Sequence, residues 1–335
     1  MIVIDGSLGE GGGQILRTSI AMSAVTKEPV KIFNIRVKRS NPGLRAQHLN
    51  AIKAVAELCS ADVSNLRIGS MEVEFHPNEI KTKKLGIDIG TAGSITMVLQ
   101  ALMIPAMFAE NTVEIQITGG TDVRWSPPID YLRFVTLPLL RKFGYGGEIQ
   151  LMQRGYYPRG GGSVRIKIDP IHKLKRIHLM ERGKILSVNG VSHASSDLKR
   201  SQVAERQIKA SRAILFNRIG IDVKMEKEYC NTLSSGSGIT LWIKTENSIL
   251  GSSSLGERGK MAEIVGREAA QNLVKEFDSN APLDKFMADQ IIPYLALSNG
   301  SVRVSEITEH ARTNVEVVKK FGFDVEIEGN LIRAS

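Results

Sequence analysis

The chain has 335 residues, 42% of them hydrophobic and 24% charged, enough for two domains or for one large domain with an insertion. It holds no run of eighteen or more apolar residues, so neither a membrane-spanning helix nor a membrane partner is expected. Its two cysteines, Cys59 and Cys230, lack the spacing of a disulfide framework or a zinc site, while a formal net charge of +9 favours a polyanionic partner.

The chain begins Met1-Ile2-Val3-Ile4-Asp5-Gly6, which reads as a strand entering a turn rather than as a charged, cleavable leader, so a cytoplasmic location is expected. Gly11-Gly12-Gly13 then open a helix whose first backbone N–H groups are free to meet an anion, with the helix dipole helping. Residues 30–37 read as a strand, Asn41-Pro42-Gly43 as a turn, and the next segment as a helix with Ile52, Val55, Ala56 and Cys59 on one face. No acidic residue falls between Glu28 and Glu57, whereas Lys31, Arg36, Lys38, Arg39, Arg45 and Lys53 do. The loop at residues 40–43 therefore reads as a phosphate-binding rim, with a solvated basic face as the alternative.

The same succession recurs. Gly90-Thr91-Ala92-Gly93-Ser94 open a second helix, residues 113–118 form a strand, and Trp125-Ser126-Pro127-Pro128 form a loop. Leu132, Val135, Thr136, Leu139, Leu140 and Phe143 line one helix face. The stretch Arg154-Gly155-Tyr156-Tyr157-Pro158-Arg159-Gly160-Gly161-Gly162 follows; it reads either as a phosphate-cradling loop, with Arg154 and Arg159 as the contacts, or as an architectural glycine turn. A third copy has a helix start after Pro282, a strand at residues 301–304, a loop at residues 306–310 and a helix carrying Val315 and Val318.

Residues 182–279 differ in texture. Strands are expected at 187–191, 221–226 and 239–244, and helices at 198–217 and 260–277. Ser234-Ser235-Gly236-Ser237-Gly238 and Ser252-Ser253-Ser254 read as surface turns, and Lys199, Arg200, Arg206 and Lys209 as a solvated helix face. The predicted fold class is α+β: a large domain of three repeated α+β units over residues 1–181 and 280–335, and a smaller inserted α+β domain over residues 182–279.

Six motifs in order resemble the RNA 3′-terminal phosphate cyclases nearly end to end: residues 10–17 (Glu-Gly-Gly-Gly-Gln-Ile-Leu-Arg), Pro42-Gly43-Leu44 with Gln47-His48, Gly93-Ser94 with Gln100, residues 154–164, Ala288-Asp289-Gln290, and His310 with Thr313-Asn314. The resemblance implies three repeats like the C-terminal domain of translation initiation factor 3, plus the insertion. It also implies ATP-dependent conversion of an RNA 3′-phosphate into a 2′,3′-cyclic phosphodiester through a histidine-AMP intermediate.

By the same resemblance His310 is the nucleophile, set in the loop before the third helix, while His76, His172, His178 and His193 match no motif. Gln100, Phe286, Met287, Ala288, Asp289 and Gln290 would bind ATP, with Pro128 and Tyr131 packing near adenine. Phe286 stands where other members can carry tyrosine; its ring can still stack or pack, but a hydroxyl hydrogen bond there would be lost. Arg17, Arg36, Arg39, Gln47 and His48 would contact phosphate or RNA, because forked guanidinium donors fit phosphate oxygens. Glu10 would hold a divalent metal ion, Mg2+ by its preference for hard oxygen ligands; an acidic residue near a helix start is also common without one. The partner implied is RNA ending in a 3′-phosphate, and no oligomeric state is implied. Two other readings stay open: a non-catalytic relative acting in ribosomal RNA processing, which lacks the nucleophilic histidine, and a carboxyvinyl transferase of similarly repeated architecture.

Overall fold

The computed structural model describes residues 1–171 and 173–335, so His172 lies outside the described residues. Four small sheets and their helices make up an α+β fold. In the first, β1 (Ile2–Asp5), α1 (Gly13–Thr26), β2 (Val30–Phe33), α2 (Ala46–Cys59), β3 (Asp62–Ser64) and β4 (Val73–His76) succeed one another in the chain. The sheet order is β1-β2-β4-β3, with β1 and β2 parallel across the α1 crossover and the other pairs antiparallel.

The second group comprises β5 (Lys84–Asp88), α3 (Ile95–Ala106), β6 (Val113–Gly119), a composite helix, β7 (Gly147–Gln153) and β8 (Gly162–Ile168), ordered β5-β6-β8-β7 with the first pair parallel. The composite helix joins α4 (Ile129–Tyr131), a π-turn (Leu132–Thr136) and α5 (Leu137–Leu140). After β9 (Ile177–Leu179) the chain leaves to build a separate sheet from β10 (Ile185–Ser195), α6 (Val203–Ile219), β11 (Val223–Cys230), β12 (Ser237–Thr245), β13 (Ile249–Leu255) and α7 (Ala262–Asp278), ordered β11-β10-β12-β13. It returns through α8 (Lys285–Gln290), α9 (Ile292–Ser298), β14 (Gly300–Arg303), α10 (Glu309–Lys320), β15 (Val325–Glu328) and β16 (Leu331–Ala334). The resulting sheet is ordered β15-β16-β14-β9, with β9 and β14 parallel.

Strand periodicity explains which faces are buried. In β6, Val113, Ile115 and Ile117 point inward between Glu114 and Gln116; in β8, Val164, Ile166 and Ile168 do so between Arg165 and Lys167. One apolar core runs from Ile4 to Ala334 across the first, second and last sheets, and a smaller one around Val188, Leu215, Leu241 and Leu273 belongs to the β10–β13 sheet. Helix α1 packs against α2, α3 and α10, and its Ser19, Ala21, Ser23 and Ala24 let those neighbours come close. Among the described residues no helix is long and apolar enough to cross a membrane.

Three expectations are corrected. Ser252, Ser253 and Ser254 are not a surface turn but lie within β13, where Ser252 is fully buried. The reason is space: a Cβ at neighbouring Gly251 would come within 2.5 Å of Val135 and 2.7 Å of Tyr131, so this strand uses small residues and loses its apolar alternation. Ser237 and Gly238 likewise belong to β12. The helix starts differ as well: Ser94 caps α3 and Asp284 caps α8 with side-chain acceptors, leaving only α1, which begins after Gly12, with uncapped amides.

Arg154, a phosphate candidate from sequence, is 1% exposed and is spent on structure. Its guanidinium donates to Asp122 Oδ2 (3.2 Å), Asp130 Oδ2 (2.7 Å) and Glu228 Oε2 (2.7 Å), joining the loop after β6, α4 and β11. Burial disfavours the charge, but Asp122 and Asp130 outweigh it and hold Arg154 protonated. The glycines around it permit this route. A Cβ on Gly155 would lie 2.2 Å from Gly162 N and 2.5 Å from Gly119 O, and one on Gly160 (φ +69°) would lie 2.8 Å from Thr91 O.

Removing one partner of such a buried cluster leaves carboxylates without compensation. Arg154→Met should therefore lower stability by about 3–5 kcal/mol in urea denaturation; a loss under about 1 kcal/mol would mean that Asp122 and Asp130 find other partners.

Candidate active site

Four helices converge on one cleft of about 580 Å³, within the range of small-molecule sites. Gln14 and Arg17 come from α1, Gln100 from α3, Asp289 and Gln290 from α8, and His310 from α10; Pro128, Tyr131 and Phe286 line it too. Local chemistry fixes each element. Thr308 caps α10 by accepting from Ala311 N at 3.1 Å, which places His310 in the first turn of the helix rather than in the loop before it. Asp284 caps α8 through Phe286 N and Met287 N, both at 3.0 Å, and also accepts from Tyr131 Oη (2.6 Å) and Gly251 N (2.8 Å). One carboxylate thus binds α8, α4 and β13 together.

Helices α1, α8 and α10 are cross-linked by amides. Gln14 Nε2 donates to Asp289 Oδ2 (3.0 Å) and to the His310 carbonyl (3.2 Å). Thr18 Oγ1 donates to Asn314 Oδ1 (2.8 Å), whose Nδ2 donates to the Asp289 carbonyl (2.8 Å). The Gln14 Oε1 atom is buried without a partner among the described residues, an acceptor suited to a ligand hydroxyl or amine.

The electrostatics are poised rather than neutralised. Burial pushes Asp289 up to about 7, with Arg17 pulling against it, and burial lowers Arg17 to about 10, with Asp289 opposing. His310 is half-buried; burial depresses its pKa, the Arg17 and Arg39 charges add to that, and Glu10 opposes. The imidazole is therefore neutral near pH 7 and available as a nucleophile. Its Nε2 stands 3.8 Å from Glu10 Oε2, and Arg39 Nη2 stands 3.4 Å from the same oxygen, so Glu10, Arg39 and His310 cluster beside the open start of α1.

The other sequence candidates take supporting or neighbouring positions. Met287 and Ala288 are wholly buried and present no side chain to the cleft, because they form the core-facing side of α8. Tyr131 is buried with its hydroxyl committed to Asp284; it meets Phe286 edge-on at 6.2 Å and so supports that exposed ring from beneath. Arg36 Nη1 donates to the carbonyls of Asn41 (2.7 Å) and Gly43 (3.0 Å) and thereby closes the basic loop on itself. His48 is buried, accepts from Arg45 N at 3.1 Å, and is pushed down to about 3 by burial and by Arg17, Arg36 and Arg45, so it is neutral. Gln47 accepts from Ser94 N (3.2 Å) and lines a neighbouring groove. His193 is buried against Tyr156, and His178 bonds Ser301.

Sequence reasoning missed Gln14 as a site residue, although the glycine motif contains it, together with Lys260, Lys285, Ser253 and Ser254 in the cleft wall. The serines arrive on β13, a strand that their own composition concealed.

For Asp289 the folded chain keeps a proton that the unfolded chain releases between 3.8 and about 7, so this group's contribution to stability falls as pH rises through that window. Asp289→Asn removes the effect while keeping an acceptor for Gln14. The melting temperature of the variant relative to the parent should climb from about pH 4 to about pH 7 and then level off; a difference constant across that range would show that Asp289 ionises as an ordinary carboxylate.

Comparison with known proteins gives a consistent result. The family model described as RNA 3'-terminal phosphate cyclase matches residues 8–328. A Pyrococcus furiosus protein named RNA 3'-terminal phosphate cyclase is 53% identical over 332 residues, covering 99% of this chain and 96% of its own. Proteins of the same name from Pyrococcus abyssi (50% identical, 96% of this chain and 93% of theirs) and Ignicoccus hospitalis (50%, 99% and 96%) are similar to it as well. Among solved structures, EPSP synthase from Acinetobacter baumannii is similar at a TM-score of 0.31 and 14% identity over 99% of this chain; the chain spans 64% of that structure, and a likeness this weak carries no argument. With about half of all positions identical over nearly the full length of several relatives, the chain belongs to the RNA 3′-terminal phosphate cyclase family.

Proposed function

We propose that the cleft carries out ATP-dependent closure of an RNA 3′-terminal phosphate to a 2′,3′-cyclic phosphodiester, with His310 as the covalent relay. The observation that carries this reading is a neutral, half-exposed imidazole on a cleft that also holds the Arg17 guanidinium, which has no ion pair among the described residues. The His310 imidazole attacks the α-phosphorus of ATP, the bond to the β-phosphate oxygen breaks, and pyrophosphate leaves. An oxygen of the RNA 3′-phosphate then takes AMP from the histidine, restoring free imidazole. Finally the adjacent 2′-hydroxyl loses its proton, attacks the activated phosphorus and expels AMP. Adenylation is needed because a bare phosphate oxygen is a poor leaving group, and holding the 2′-hydroxyl beside the phosphorus makes closure intramolecular.

The half-exposed Phe286 ring and Pro128 offer apolar surface for adenine, while Gln100, Asp289 and Gln290 offer polar edges. Arg17, Arg39 and the uncapped amides of α1 would take up phosphate charge. Arg36 and His48 would act one step back, by shaping the basic loop and packing under α1, and Gln47 would meet RNA from the adjoining groove.

Among the described residues no three His, Cys, Asp or Glu side chains lie together as a metal cage. Glu10, exposed and next to His310, fits a Mg2+ ion that draws its other ligands from phosphates and water. Such an ion, when bound, neutralises charge on the phosphate oxygens. The common strand order of the first, second and last sheets supports reading residues 1–181 and 280–335 as three copies of one unit, similar to the C-terminal domain of translation initiation factor 3, and residues 182–279 as the insertion. The histidine on the cleft favours this reaction over a non-catalytic role in ribosomal RNA processing or a carboxyvinyl transfer, neither of which needs it.

With α-labelled ATP and Mg2+, the parent should acquire an acid-labile, alkali-stable label that His310→Ala abolishes; labelling of the alanine variant at the parent's rate would remove His310 from the mechanism. RNA ending in a 3′-phosphate should become resistant to phosphatase, whereas a terminal 2′-deoxy analogue should stall as the adenylated end. The depressed His310 pKa places the acid limb of self-adenylation below the ordinary imidazole value of about 6.5. Arg39→Ala takes away one depressing charge and should move that limb upward; a downward or absent shift would contradict the electrostatic assignment.

A further inference from the structure

Three hollows on one side of the molecule share their walls. The cleft at His310 continues, across Val123, Arg124 and Trp125, into a groove of about 890 Å³. That groove continues, across Tyr157, Pro158 and Arg258, into a third hollow of about 770 Å³. The path runs along the junction between the loops of the β5–β8 sheet and the loops of the β10–β13 sheet, and beyond the first hollow the proposed function uses none of its wall except Gln47.

Its surface is unusual in two respects. Trp125 is 89% exposed and Tyr157 is 76% exposed, so two large rings stand in solvent where folding gains nothing from them. Trp125 also holds φ at +60°, a left-handed conformation that is costly for a bulky residue and tends to persist at ligand sites. The charge is lopsided too. Arg124, Arg159, Arg206, Arg258 and Lys260 line the second and third hollows; Arg124, Arg206 and Lys260 are paired with Glu257, Glu263 and Glu268 and Asp122 is held by Arg154, which leaves Arg159 and Arg258 as the cations without an ion pair among the described residues. Arg258 is exposed and, among the described residues, has no ion pair.

Exposed rings interleaved with cations, along a groove that opens into the site of end chemistry, match single-stranded nucleic acid: rings stack on any base, and cations follow the backbone. We propose that this groove is the track for the single-stranded RNA leading to its 3′-end, with bases stacking on Trp125 and Tyr157 and phosphates lying against Arg258 and Arg159. The track rests on the reading that an RNA 3′-phosphate reaches His310. It gives residues 182–279 a role as one wall of the RNA path, through the loops at residues 233–237 and 256–261 rather than through the α6 face bearing Lys209, which lies in a separate hollow. Base identity would matter little at the two rings, since every base has a face that stacks.

The test uses the full chain without ATP and 5′-fluorescent oligoribonucleotides ending in a 3′-phosphate, two and ten nucleotides long, with binding followed by anisotropy. The parent should bind the ten-mer more tightly than the dinucleotide. Tyr157→Ala should weaken ten-mer binding by about ten-fold and leave the dinucleotide unchanged, and Tyr157→Phe, which keeps the ring, should restore it. Arg258→Ala should weaken the ten-mer and make the dependence of log Kd on log salt shallower by about 0.7. Retention of parent-like ten-mer affinity by both alanine variants, or equal affinity of the parent for the two lengths, overturns the track. Self-adenylation with ATP is read in parallel: if the variants label like the parent while losing the ten-mer, the folds are intact and the track stands. If instead the parent fails to label at all, the covalent mechanism fails independently of the binding result.

Discussion

A single buried guanidinium holds this architecture in register. Arg154 takes Asp122, Asp130 and Glu228 from three separate segments, and each pairing is short because the glycine-rich turn after it can lie backbone against backbone on the ends of β6 and the turn at residues 90–93. Burying Arg154, Asp122 and Asp130 together is costly unless each is matched, so the cluster, with the half-exposed Glu228 at its edge, permits one arrangement of the β10–β13 sheet against the β5–β8 sheet and penalises others. Two consequences follow from that fixed junction. Strand β13 reaches α4, where Asp284 ties Gly251, Tyr131 and the cap of α8 into one unit. The loops on the opposite side of the junction leave a continuous groove rather than a closed seam.

The cleft obeys a different rule from the junction. Its charges are under-matched among the described residues: Arg17 and Asp289 feel one another without forming an ion pair, Gln14 spends its donors on Asp289 and His310 and leaves its acceptor orphaned, and of α1, α3, α8 and α10 only α1 begins without a side-chain cap. Unsatisfied groups of this kind are expensive in a core and useful in a binding site, where a polar, anionic ligand satisfies them. Burial holds His310 toward its neutral, nucleophilic form, and the Arg17 and Arg39 charges that attract phosphate add to that against Glu10.

Much of the fold was legible because strand and helix periodicities repeat with the chain. Helices α1, α2, α6 and α7 and the alternating strands β6 and β8 follow from their apolar spacing. Strand β13 did not, since close packing against Tyr131 and Val135 replaced its inward residues with glycine and serine and removed the pattern. The residue types around His310 were likewise legible as a set of motifs, and Gln100, Asp289, Gln290 and Arg17 do meet at one cleft. Met287, Ala288, Arg36 and His48 carry the same motif signal yet turn inward, because a motif marks a segment and not the face that a helix presents.

The sequence by itself determined the α+β class and the family and supplied the candidate side chains for the chemistry, since these depend on local spacing and on residue type. Only the tertiary structure decided which arginines remain free for a ligand. Arg154 and Arg17 look alike in the chain, but one is surrounded by three carboxylates brought from distant segments and the other faces an open cleft beside Asp289, a carboxyl that burial pushes toward its neutral form. The difference is one of long-range pairing: the charge state and availability of a buried group are set by what folding brings within a few ångströms of it, and none of those partners is near it in sequence.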